Sequence, residues 1–92
     1  KSMITVNKSW ESFINRFKEV EPDFIPRLSR SYPNLTQKDL EFCSLVRINV
    51  SYKDIANFLQ ISHESVFKKR YRIAQKMDLE KGTDFQQFII QF

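Results

Sequence analysis

Apolar residues recur at intervals of three and four along nearly the whole chain, and no stretch sustains the period-two alternation of a half-buried strand. Trp10, Phe13, Ile14 and Phe17 fall on one face of a helix that Ser9 is placed to cap, and Glu21-Pro22 ends it. Asp23 reads as the next N-cap. Pro26 then takes the third helical position, where its missing N–H has no intrahelical partner to lose, and Phe24, Ile25 and Leu28 form the apolar side. Tyr32-Pro33-Asn34 is a break. Thr36-Gln37-Lys38-Asp39 has the form of a capping box leading into Leu40, Phe42, Cys43, Leu45 and Val46. Ser51 starts a helix over 52–59 that carries Ile55, Ala56 and Leu59, and Ser62 starts a longer one over 63–77. Thr83 or Asp84 opens a last helix in which Phe85, Phe88, Ile89 and Phe92 share a face. The pattern predicts an all-α fold, a small helical domain.

The helix over 52–59, a tight turn at 60–61 and the helix over 63–77 make a helix-turn-helix. Two helices that cross closely need a small residue at the crossing, and Ala56 supplies it. Ile55, Leu59 and Ile61 close the inner side of the first helix, while Val66, Ile73 and Met77 face inward from the second. A wheel centred on Val66 turns Glu64, Phe67, Lys68, Tyr71, Arg72 and Gln75 outward, with Lys69, Arg70 and Lys76 on the flanks.

Charge sharpens this reading. Residues 62–77 hold Lys68, Lys69, Arg70, Arg72 and Lys76 against Glu64 alone, and the other residues balance at ten basic and ten acidic, so the chain's whole +4 lies on this one segment. Cations for phosphates, polar groups for base edges and rings for thymine methyls are what a helix in the major groove requires. A solvated basic face on an ordinary helix is the plainer alternative, and the helix-turn-helix spacing weighs against it.

Composition closes off other classes. One His and one Cys cannot furnish a metal site of three or four N/S ligands. Gly82 is the only glycine, so there is no glycine-rich phosphate loop, and no nucleophile has a base and an orienting residue at hand. The expectation is a binding protein with no cofactor and no metal, not an enzyme. Apolar runs are too short to span a membrane, and nothing resembles a signal peptide. Cys43 alone excludes an internal disulfide and fits a reducing compartment; it reads as a small core residue. His63 reads as a surface residue in the first turn of its helix. The chain opens on Lys1 and not Met, as a piece of a longer protein would, or as a chain whose first residues are foreign to it.

Residues 35–79 resemble the LuxR/GerE-type DNA-binding domain of bacterial transcriptional regulators. The resemblance rests on Leu35-Thr36, Ser51, Asp54-Ile55-Ala56, Leu59, Ile61-Ser62, Ser65-Val66, Arg72-Ile73 and Lys76. It implies a scaffold helix, the two-helix motif and a terminal helix used for dimerisation. The family's turn glycine is missing near Asn49, a residue that tolerates positive φ better than most. Asp39 stands where the family has Glu, Phe67 where it has Lys and Lys69 where it has His. A phosphate contact at position 67 is therefore lost, and contacts shift to Lys68, Lys69 and Tyr71. Residues 10–33 also resemble an extension found in a subgroup of these regulators whose DNA-binding domain ends a larger sensor protein.

The expected organisation is a helical extension, 1–34, packed on a helix-turn-helix domain, 35–92. The expected function is sequence-specific binding of double-stranded DNA as the output domain of a cytoplasmic bacterial regulator, with a sensor region upstream. Ser51 and Ser62 would meet phosphates at helix starts, as would Thr36. Lys68, Lys69, Arg70, Arg72 and Lys76 would supply the salt-dependent affinity, and Glu64, Lys68, Tyr71 and Gln75 would read bases. Phe67 would face either DNA or the N-terminal helices. Phe85, Phe88, Ile89 and Phe92 would pair two copies into a homodimer. The alternatives are a promoter-reading module like sigma-factor region 4, and a protein-interaction module that docks an acidic partner on the basic helix.

Overall fold

The computed structural model describes the backbone from Ser2 to Phe92 and the side chains from Glu11 onward. Six helices follow one another, with no strand among the described residues: α1 (Ser2–Val20), α2 (Phe24–Ser31), α3 (Gln37–Arg47), α4 (Tyr52–Leu59), α5 (His63–Lys76) and α6 (Phe85–Gln91). The all-α expectation holds. α1 starts earlier than the pattern suggests. Ser9 lies inside it and caps nothing at its start, because no Gly or Pro in residues 2–9 stops the helix from extending towards the N-terminus. The side chain of Trp10 lies outside the described residues.

Local chemistry sets the other starts. Thr36 accepts from the Asp39 N–H and Asp39 returns the bond to the Thr36 N–H, a complete capping box. Ser51, Ser62 and Asp84 each accept from the N–H three residues on. Asp23 holds the N-cap position of α2 without a side-chain cap bond, its backbone already in the helical region.

Three helices end in one way. Asn49, Gln60 and Asp78 have φ of 68°, 58° and 55°, the left-handed region. The N–H of each following residue reaches back to close the helix: Val50 to Leu45, Ile61 to Ala56 and Leu79 to Ala74, at 3.0 to 3.2 Å. Glycine usually occupies such positions; here Asn, Gln and Asp do.

The core is shared by all six helices. Phe17 of α1, Phe24 and Leu28 of α2, Phe42, Cys43 and Val46 of α3, Ile55 of α4, Val66 and Ile73 of α5, and Phe85 and Ile89 of α6 belong to one buried cluster. Arg47, the last residue of α3, joins four elements. Its guanidinium pairs with Glu21 at 3.2 Å, donates to the Ile89 and Ile90 carbonyls at 3.1 and 2.9 Å, and lies 4.9 Å over the Phe24 ring. Those carbonyls lie in the last turn of α6, where Ile89 also accepts from the Phe92 N–H, and a cation there complements the helix dipole.

α6 differs from expectation in the direction its apolar stripe faces. Phe85 and Ile89 are buried inside the monomer. Phe88 packs on Tyr32, and Phe92 on Tyr32 and Phe24. The stripe thus meets α2 and α3, with Phe88 and Phe92 half-buried, and Gln87 and Gln91 are the exposed residues of the helix.

Candidate nucleic-acid interface

α4 and α5 pack as the expected helix-turn-helix. Ile55 and Ala56 are buried against Val66 and Ile73, and Gln60-Ile61 makes the turn. Ile61 itself is 37% exposed, contrary to its expected place on the inner side; its backbone, not its side chain, closes the turn. Met77 is buried as the wheel requires.

The outer side of α5 is open. Ser62, His63, Glu64, Phe67, Lys68, Tyr71, Arg72 and Gln75 are all exposed, and no part of the N-terminal helices covers them among the described residues. Two parallel rows, each with a step of four residues, form this side. One is charged: Glu64, Lys68 and Arg72, with Lys68 3.9 Å from Glu64. The other is largely aromatic: His63, Phe67, Tyr71 and Gln75. The His63 and Phe67 rings lie 4.9 Å apart, and the Gln75 amide donates to the Tyr71 hydroxyl at 3.1 Å.

The five cations of α5 do different things. Lys68 and Arg72 project outward with no buried partner. Arg70 lies over two rings, 5.5 Å from Tyr52 and 5.2 Å from Phe67, and the rings themselves meet edge to face at 5.6 Å. This group pins Arg70 at the junction of α4 and α5. It also places Phe67, which packs on Tyr52 and His63 and, among the described residues, not on α1 or α2, and stays 39% exposed.

Lys69 and Lys76 turn back. Both reach Asp39, at 3.3 and 2.6 Å. Asp39 is 5% exposed and so serves three bonds: the cap of α3 and two lysines of α5. Burial alone would raise its pKa; the hydrogen bonds from Lys76, Thr36 and Lys69 outweigh burial and bring it from 3.8 to about 2. Sequence reasoning placed both lysines on the flanks of the exposed face, because nothing in the spacing announces a partner thirty-odd residues away. The member of this cluster that it missed is Tyr52, the ring on which Phe67 and Arg70 pack. As the first residue of α4 it carried a readable signal, an aromatic ring at the edge of the motif.

Ser51 and Ser62 are exposed at the starts of α4 and α5, with their side chains engaged as caps. The Ser62 hydroxyl also donates to that of Ser65 at 2.8 Å. At the start of α3, Thr36, Gln37 and Lys38 border a shallow recess together with Asp39, Lys69, Arg72 and Lys76. Cys43 is fully buried, and burial, with the nearby Asp39 charge, pushes its thiol up to about 12, so it behaves as a core side chain. No group of three His, Cys, Asp or Glu side chains comes together among the described residues. No described helix is long and apolar enough to cross a membrane.

The chain is similar to an uncharacterized response regulatory protein, YgeK, of Escherichia coli strain K12, with 36% identity over 50 residues. The match covers 54% of this chain and 34% of that protein, so the chain spans about a third of the length of the curated relative it matches. No family model and no solved structure matches the chain.

Proposed function

We propose that this domain binds double-stranded DNA as the output module of a bacterial transcriptional regulator of the LuxR/GerE type, with α5 in the major groove. The observation that carries this reading is the open outer side of α5, where cations, hydrogen-bonding groups and rings lie side by side on a helix of the right length and exposure. The similarity to a response regulatory protein supports the regulatory setting. The helix-turn-helix packing supplies the rigid platform that a reading helix needs.

In this reading Lys68, Arg70 and Arg72 hold phosphates, and Glu64, Tyr71 and Gln75 meet base edges. Ser51 and Ser62 set the backbone N–H groups at the helix starts near the phosphates. Lys69 and Lys76 brace α5 against α3 through Asp39 and add less to binding. The domain binds and does not catalyse. A sensing region upstream would supply the signal, and the site of action is the bacterial cytoplasm. Two copies would share one operator through what α6 leaves at the surface, the half-buried Phe88 and Phe92, with Phe85 and Ile89 kept for the monomer core.

The test is the salt dependence of duplex binding, followed by fluorescence anisotropy. Three phosphate-holding cations predict a slope of log K against log salt of about −3 per domain. A slope near zero contradicts the proposal. Binding that is tight only in the presence of RNA polymerase would favour the promoter-reading alternative.

A further inference from the structure

The aromatic row of α5 has a cost that the binding of phosphates does not explain. Phe67 is 39% and Tyr71 62% exposed, on a helix whose neighbouring outward positions are Glu64, Lys68 and Arg72. Large rings left in water beside cations suit a ligand that is anionic overall yet presents apolar atoms within reach of the same face. Duplex DNA does this at one group, the C5-methyl of thymine, which stands in the major groove between two phosphate rows. RNA offers neither the methyl nor a major groove wide enough for a helix.

From this geometry, and resting on the proposed groove binding, we infer that Phe67 and Tyr71 are specificity-determining residues that recognise thymine methyl groups, so that the preferred site carries A·T pairs opposite the middle of α5. Gln75 completes the set. Its amide donates one N–H to the Tyr71 hydroxyl at 3.1 Å. This leaves its second N–H and its carbonyl oxygen for N7 and N6 of an adenine. The Phe67 ring is fixed by Tyr52 and His63 at 5.6 and 4.9 Å, so it is held in place before any ligand arrives. In the charged row one step round the helix, Lys68 and Arg72 serve the backbone and set affinity, while the rings set the choice of base.

The experiment uses duplexes selected by the domain from a random pool, resynthesised with deoxyuridine in place of thymidine. This exchange removes only the methyl and keeps every phosphate and every Watson–Crick pair. Affinity should fall about fourfold for each contacted methyl, the loss associated with one buried methyl-sized group. Tyr71→Ala, a change at an exposed position whose fold can be checked by thermal melting, should lose about fourfold of the thymine-over-uracil preference and keep the share that Phe67 supplies. Equal affinity of the unaltered domain for thymine and uracil duplexes would overturn this inference and leave groove binding standing, provided the salt slope persists. Failure to retain any duplex from the pool would overturn both.

Discussion

Asp39 divides the cations of α5 into two classes, and substitutions should reveal the division. Lys68→Ala or Arg72→Ala removes an outward charge that has no buried partner. Each should weaken binding to all duplexes alike and make the salt slope about one unit shallower. Lys69→Ala leaves the slope nearly unchanged but strips a buried carboxylate of a donor, and urea titration should show a loss of about 1–2 kcal/mol. Asp39→Asn should cost about 1–3 kcal/mol, since it breaks two ion pairs and weakens a cap. Acid supplies an independent check. The Asp39 pKa is lowered on folding, from 3.8 to about 2, so the stability it contributes is present above pH 3.8 and is lost as pH falls through about 2. Denaturant midpoints measured from pH 5 to pH 2 should fall less steeply for the Asn variant than for the parent. The charges themselves were legible in the sequence, and so was the Thr36–Asp39 cap. The loyalty of Lys69 and Lys76 to Asp39 was not, because a helical wheel ranks positions by angle and carries no information about what packs on the flanks.

At the scale of the element, the helix boundaries follow from side chains that compete for the first free N–H groups. Thr36, Ser51, Ser62 and Asp84 each accept such a bond; the first three starts were readable from these residues, and the structure chooses Asp84 over Thr83 for the fourth. α1 was misplaced because a serine before an apolar face is a cap only if the preceding residues leave the helix, and residues 2–9 do not. The helix ends were harder to read than the starts. Asn49 was expected to adopt positive φ, and it does. Asp78 does the same with a residue type that tolerates it, and Gln60 without one. A non-glycine residue in the left-handed region costs about 1 kcal/mol or more. Gln60→Gly should therefore raise stability by about 0.5–1 kcal/mol, part of the gain being lost to the freer unfolded chain. The same variant should bind DNA like the parent, because the turn keeps its Ile61 to Ala56 bond. A fall in melting temperature would mean that the Gln60 side chain holds the turn in some other way.

At the scale of the whole molecule, the extension and the terminal helix form a single support behind the reading face. Phe13 lies 6.0 Å from Phe58 of α4, Phe24 meets Phe92, and Arg47 ties Glu21 to the last carbonyls of α6. The all-α class and the helix-turn-helix were legible because period and caps are local. The destination of the α6 stripe was not: an apolar face reports that something covers it, and only the packed chain shows that the cover is α2 and α3. Among the described residues this arrangement puts the buried side chains on the inner side of α5 and leaves its outer side free, which is the claim on which the functional account stands. Amide chemical-shift mapping of the labelled domain with a short duplex tests it most directly. The account predicts that the largest shifts run from Ser51 and Tyr52 through Ser62 to Gln75, with α1, α2 and α6 nearly silent. Shifts centred on α1, α2 or α6, with α5 unmoved at saturating duplex, would contradict it.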